Sequence, residues 1–159
     1  MIRRASLLGF ALAAACASSG RASDIPGGME ISGRTVFETL PPQDVSTSQC
    51  PLVLFSRADE SRRIFVSLDN PPTALIRIDG QTRQFARTGV AGAASLRHHE
   101  EEIYKAPDGA QLAASVRFSP LSDTDAGAAI RAASLAYTSP EGETAIIPAV
   151  GLVSCSEGG

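Results

Sequence analysis

Tryptophan is absent from this chain, Lys105 is its single lysine, and only 5% of its 159 residues are aromatic. Arginine carries nearly all the positive charge, and no Lys/Arg cluster occurs. That removes the electrostatic footprint of a nucleic-acid binder and of a polybasic membrane patch. No apolar run reaches the about 20 residues that a spanning helix needs. The sequence has no G-x-S-x-G elbow, H-E-x-x-H pair, Gly-Lys-Ser/Thr phosphate loop, dinucleotide fingerprint or C-x-x-C pair. Those absences set the expectation of a non-enzyme with no cofactor. The 43% hydrophobic content is still enough for one domain with a real core.

The first sixteen residues set the compartment. Arg3 and Arg4 precede an uncharged run, Ala5 to Ala15, that contains Leu7, Leu8, Phe10 and Leu12. A basic start, a short apolar stretch and small residues before the cut form an export signal. Ala13-Ala14-Ala15-Cys16 resembles the lipobox of bacterial lipoproteins, with Leu12 four residues before the cysteine where the commonest form has leucine three before. The resemblance implies cleavage before Cys16 and lipidation of its thiol. A second route, cleavage after Ala22 in Gly20-Arg21-Ala22, gives a freely secreted or periplasmic chain. A diacylglycerol plus an amide-linked acyl group would hold the protein on a membrane, because each buried methylene contributes about 0.8 kcal/mol. The expected layout is leader 1–15, tether 16–33 and one β-rich domain 34–159, facing the periplasm from the outer membrane. Removal of Arg3 and Arg4 takes the formal charge from -3 to -5.

Either cut leaves Cys50 and Cys155 as the cysteines of the folded part. In an oxidising compartment an even pair reads as a structural disulfide, with two separate buried thiols as the rival.

Along the domain, Arg34 to Leu40 and Leu52 to Phe55 read as strands. In Ile64 to Leu68 the alternation places Ile64, Val66 and Leu68 on one face. Asp69-Asn70-Pro71-Pro72 must turn, and Asp79-Gly80 suits a type I′ hairpin. Ser95 to Lys105 reads either as a short helix or as an edge strand, and Ala128 to Ser134 is open in the same way because alanine favours helix. Leu112, Ala114, Val116 and Phe118 alternate as a half-buried strand. Pro148 and Gly151 in the last strand suggest an edge or a bulge. About eight short strands at near-regular spacing predict an all-β antiparallel barrel or sandwich, with at most one short helix.

Only one run is rich in metal-ligand types, His98-His99-Glu100-Glu101-Glu102. A helix would put His98 and Glu102 on one face, and a strand would align His98, Glu100 and Glu102. His98, His99 and Glu102 are therefore the candidate ligands for a metal-assisted site, against the plainer reading of a solvated polar segment. Ser122-Asp123-Thr124-Asp125 partly matches a calcium loop, but Gly127 stands where another oxygen ligand belongs.

Cys50, Cys155 and Glu102-Ile103-Tyr104-Lys105 before the Asp108-Gly109 turn make the plan similar to the membrane-bound periplasmic lysozyme inhibitors. The resemblance implies a small β-barrel lipoprotein. Their Ser-Gly-x-Arg/Lys-Tyr inhibitory loop is replaced by Arg87-Thr88-Gly89-Val90-Ala91. The expected role is a non-catalytic binding module tethered to the membrane by lipid. Its partner would be an envelope protein, peptidoglycan or a small ligand, and not nucleic acid.

Overall fold

Eight strands close into one antiparallel barrel in the order β1 to β8 and back to β1. The strands are β1 Leu52–Ser56, β2 Asp59–Asp69, β3 Pro72–Ile78, β4 Gln81–Ser95, β5 His98–Lys105, β6 Gln111–Pro120, β7 Gly127–Thr138 and β8 Thr144–Ser154. The computed structural model describes residues 37–46, 48–121 and 126–155. The leader, Cys16, the tether, positions 34–36 of the first expected strand and Ser122–Asp125 lie outside the described residues.

Period-two alternation accounts for most of this. On β6, Leu112, Ala114 and Val116 are buried while Ala113, Ser115 and Arg117 are exposed. The helix option fails at both open positions, and no helix occurs among the described residues. β7 is paired to β6 on one side and to β8 on the other. Two ladders outweigh a helix propensity worth only tenths of a kcal/mol per residue. On β2, Ile64, Phe65, Val66 and Ser67 are all buried. Leu54 lies opposite Phe65 and Leu52 opposite Ser67, so Phe65 and Ser67 face the interior with β1's leucines.

β8 is not an edge, since β7 and β1 flank it. The expected bulge sits across the ladder, between Ile130 and Ala133 of β7. Gly151 serves close approach: a Cβ there would lie 2.0 Å from the Val53 carbonyl oxygen. The Cys50–Cys155 disulfide forms and ties the start of β1 to the end of β8.

The turns divide the barrel into two ends. One end carries the turns after β1, β3, β5 and β7, including Asp79 (φ 50°) and Gly80 (φ 74°), the expected type I′ pair. Phe37 is fully buried there, edge-on to Tyr137 at 6.2 Å. Glu38 accepts from the Gly80 amide at 2.8 Å and pairs with Arg77. From Phe37 the chain bonds to both β3 and β2, through Glu38 N–H to Arg77 O and Leu40 N–H to Arg63 O. The other end holds the disulfide and the turns after β2 and β4. Its rim is uneven. Pro71 and Pro72 offer no backbone N–H, and the β3–β4 ladder stops at Thr73↔Ala86. β4 continues nine residues beyond, to Ser95, paired only with β5 among the described residues.

Candidate functional site

The interior of an eight-stranded barrel is normally filled by apolar side chains. Here four polar ones, Ser67, His98, Glu102 and Tyr104, are buried beneath the tall β4–β5 wall. Glu102 is their centre. Its Oε1 accepts from Arg87 at 2.8 Å and from the His99 amide at 3.0 Å, and its Oε2 accepts from the Tyr104 hydroxyl. Tyr104 also meets Ser67 Oγ at 2.7 Å, linking β5 to β2 across the interior. His98 donates from Nε2 to the Cys50 carbonyl at 2.6 Å, since a carbonyl can only accept. Its Nδ1 approaches Glu102 Oε1 to 3.4 Å without a hydrogen bond of normal geometry.

Burial pushes the Glu102 carboxyl up, but the His98 ring, the Tyr104 hydroxyl and the His99 amide outweigh it and hold the group down at about 2. Burial first, and then the charge on Glu102, push the Tyr104 phenol up. The carboxylate therefore stays ionised and the phenol stays protonated across the physiological range. Both oxygens of Glu102 are already engaged, so it is poorly placed to act as a base toward solvent. The arrangement fixes β4, β5, β2 and the disulfide corner relative to one another.

A second polar cluster extends this to the rim. Asp69 accepts from the Cys50 amide and from Arg97, each at 2.9 Å, and Arg97 also donates to Ser48 O. Burial raises the Asp69 carboxyl, and those donors more than reverse it. The turn itself is costly. Leu96 (φ 48°) and Arg97 (φ 68°) both take the left-handed conformation between paired Ser95 and His98. Without glycine this costs roughly 1–2 kcal/mol per residue. Arg97's anchors and the His98–Cys50 bond hold the β4–β5 tip in place.

The proposed metal ligands are only partly united. His98 and Glu102 meet, but adjacent strand residues face opposite ways, so the His99 side chain does not join them. Among the described residues no group of three or more His, Cys, Asp or Glu side chains is arranged to hold a metal ion. Glu100 instead pairs with Arg117 at 3.0 Å. The Arg87–Ala91 segment is strand, not loop, and forms the first part of the exposed wall. Tyr104 could have been read from the strand option, since it shares parity with His98 and Glu102. Ser67 and Arg87 carry no sequence signal, because only closure of the barrel brings β2 and β4 to β5's buried face.

The Cys50–Cys155 bridge is therefore part of the same corner as the polar network, while Cys16 lies outside the described residues. No protein-family model, curated protein or solved structure matches the chain.

Proposed function

We propose that the chain is a lipid-tethered, non-catalytic binding domain of the bacterial cell envelope, presenting the disulfide end of its barrel to a partner. The observation that carries this reading is the opposition of the two ends. The described chain enters at Phe37 and Glu38, beside the Gly80 turn. The raised β4–β5 wall, its strained tip and the polar corner stand at the far end. A tether that starts at Cys16 would join the domain at this entry end, the end opposite the wall. The leader and lipobox-like residues, and a cysteine pair suited to an oxidising compartment, support the same picture.

Intact mass of the chain from a bacterium that processes lipoproteins tests the anchor. A start at Cys16 with added acyl mass is expected; a start at Ser23 without lipid would sink the tethered reading. Cross-linkers placed at Ala93 and at Glu141 then test polarity, with envelope proteins captured from Ala93 and not from Glu141.

A second reading rests on three features of the fold. The barrel, the Cys50–Cys155 bridge and the partly exposed Arg87–Ala91 segment suit a lysozyme-inhibitor-like role. Excess domain that leaves c-type lysozyme at full rate would eliminate it.

A further inference from the structure

We infer that the edge of β4 between Thr88 and Ser95, which no second strand covers among the described residues, receives an extended, lysine- or arginine-bearing polypeptide segment of a partner as an added strand. This rests on the binding-module reading above and names the partner's chemistry.

The edge exists because of two prolines. Pro71 and Pro72 end β3's ladder, and β4 runs on with one neighbour, β5, among the described residues. Backbone N–H and C=O groups on such an edge are satisfied by water or by another extended chain, and strand addition is a recurring mode of peptide capture. Thr88, Val90, Ala91, Gly92, Ala93 and Ala94 are all exposed. The usual edge guards of charge and proline are missing from Thr88 to Ser95. Two bulges are present instead, between Arg87 and Gly89 and between Ala91 and Ala94. They confine the regular template to Gly89-Val90-Ala91, which fits a short, transient contact rather than a long sheet.

The side chains around this template specify the partner. Val90 lies opposite Glu102, on the inner face, and is 48% exposed, so an apolar residue of the added strand has a surface to cover there. On the outer face Ala91 lies opposite Glu101. Glu101 is exposed, and among the described residues no cation pairs with it. Strands are about 4.8 Å apart, and the small Ala91 side chain leaves a lysine or arginine of the added strand free to reach over it to Glu101. Ile103, 46% exposed opposite Gly89, adds an apolar contact beside that carboxylate. A basic partner strand thus alternates an inward apolar residue with an outward cation.

The probe is a synthetic peptide, Thr-Val-Lys-Val-Lys-Val-Thr, titrated into the purified mature domain. Backbone amide exchange is followed residue by residue. Slowed exchange confined to Thr88–Ser95 is expected. Two N-methylated forms, each blocking one edge of the peptide, must behave differently: one loses binding and the other keeps it. Glu101→Gln should weaken the unmodified peptide by about two- to fivefold, the range for an exposed ion pair. Equal binding by both N-methylated forms, or no protection at millimolar peptide, would overturn the inference. So would protection of β4 that rises with protein concentration alone, which assigns the edge to a second copy. Protection lost on deleting residues 16–33 would overturn it too, by assigning the edge to the chain's own N-terminal segment. All arms use unlipidated domain, so failure here is separate from failure of the anchor.

Discussion

Replacing Arg87 by methionine keeps the aliphatic stem but removes the guanidinium that meets Glu102 Oε1 at 2.8 Å. Glu102 is 2% exposed, so its carboxylate loses its nearest cation while remaining buried. Breaking a buried pair by removing one partner typically costs about 3–5 kcal/mol. The low end applies here, because the Tyr104 hydroxyl and the His99 amide still donate to the carboxylate. R87M should therefore lose about 3 kcal/mol, or roughly 12 °C in Tm for a domain of this size. The pair itself need not be stabilising relative to apolar packing. The double variant R87M/E102L should return to within about 1 kcal/mol of the parent. Acid supplies an independent measure. Glu102 is held at about 2 in the fold against an ordinary 4.5. A lowered carboxyl stabilises above its unfolded value, so this contribution is whole above about 4.5 and lost as pH falls toward 2. It amounts to about 3 kcal/mol. Glu38, Asp69 and Glu100 are also lowered and add a background, so the quantity of interest is the difference between the parent and E102Q. With no tryptophan, urea unfolding is best followed by circular dichroism at pH 7 and pH 3. An E102Q chain with the parent's full acid sensitivity would refute the assigned role of the network. So would a double variant no more stable than R87M.

Reducing the Cys50–Cys155 bond, which spans 105 residues, should destabilise the domain by up to about 4.7 kcal/mol in the chain-entropy model. Denaturation with and without reductant measures this, and a two-proton mass gain identifies the bond. Gly151→Ala should cost at least about 3 kcal/mol or prevent folding, because the new methyl meets the Val53 carbonyl. Gly80→Ala, with open space around it but φ at 74°, should cost only about 1–2 kcal/mol. Equal losses in urea midpoints would contradict the two separate causes. Zinc should leave Tm unchanged and the H98A/H99A variant should show no difference in that response, since Glu102's oxygens are occupied. A rise of several degrees with zinc, abolished in the variant, would restore the metal reading.

The periodicity of the chain was enough to specify strands, turns and the barrel-or-sandwich class. Hydrophobic alternation on β6, the Asp79-Gly80 turn and the Pro71-Pro72 stop are local effects, written in side-chain size and backbone dihedral preference. The cysteine count likewise pointed to the Cys50–Cys155 bridge. A closed or nearly closed sheet, with Cys50 and Cys155 tying an early strand to the last, was legible too; the register of that closure was not, and with it went every property that depends on distant strands. It turned Ala128–Ser134 into strand by pairing both of its edges, and denied β8 the edge that Pro148 suggested. It brought Ser67, Arg87 and Tyr104 to Glu102, so that His98 and Glu102 of a run readable as a solvated polar segment are buried while Glu101 stays exposed. It also left β4 beyond Ala86 paired only with β5 among the described residues, because β3 stops at its prolines while β4 does not. Local residue chemistry determines which elements form. Only their mutual register decides which polar groups lose water, and those groups define the candidate site.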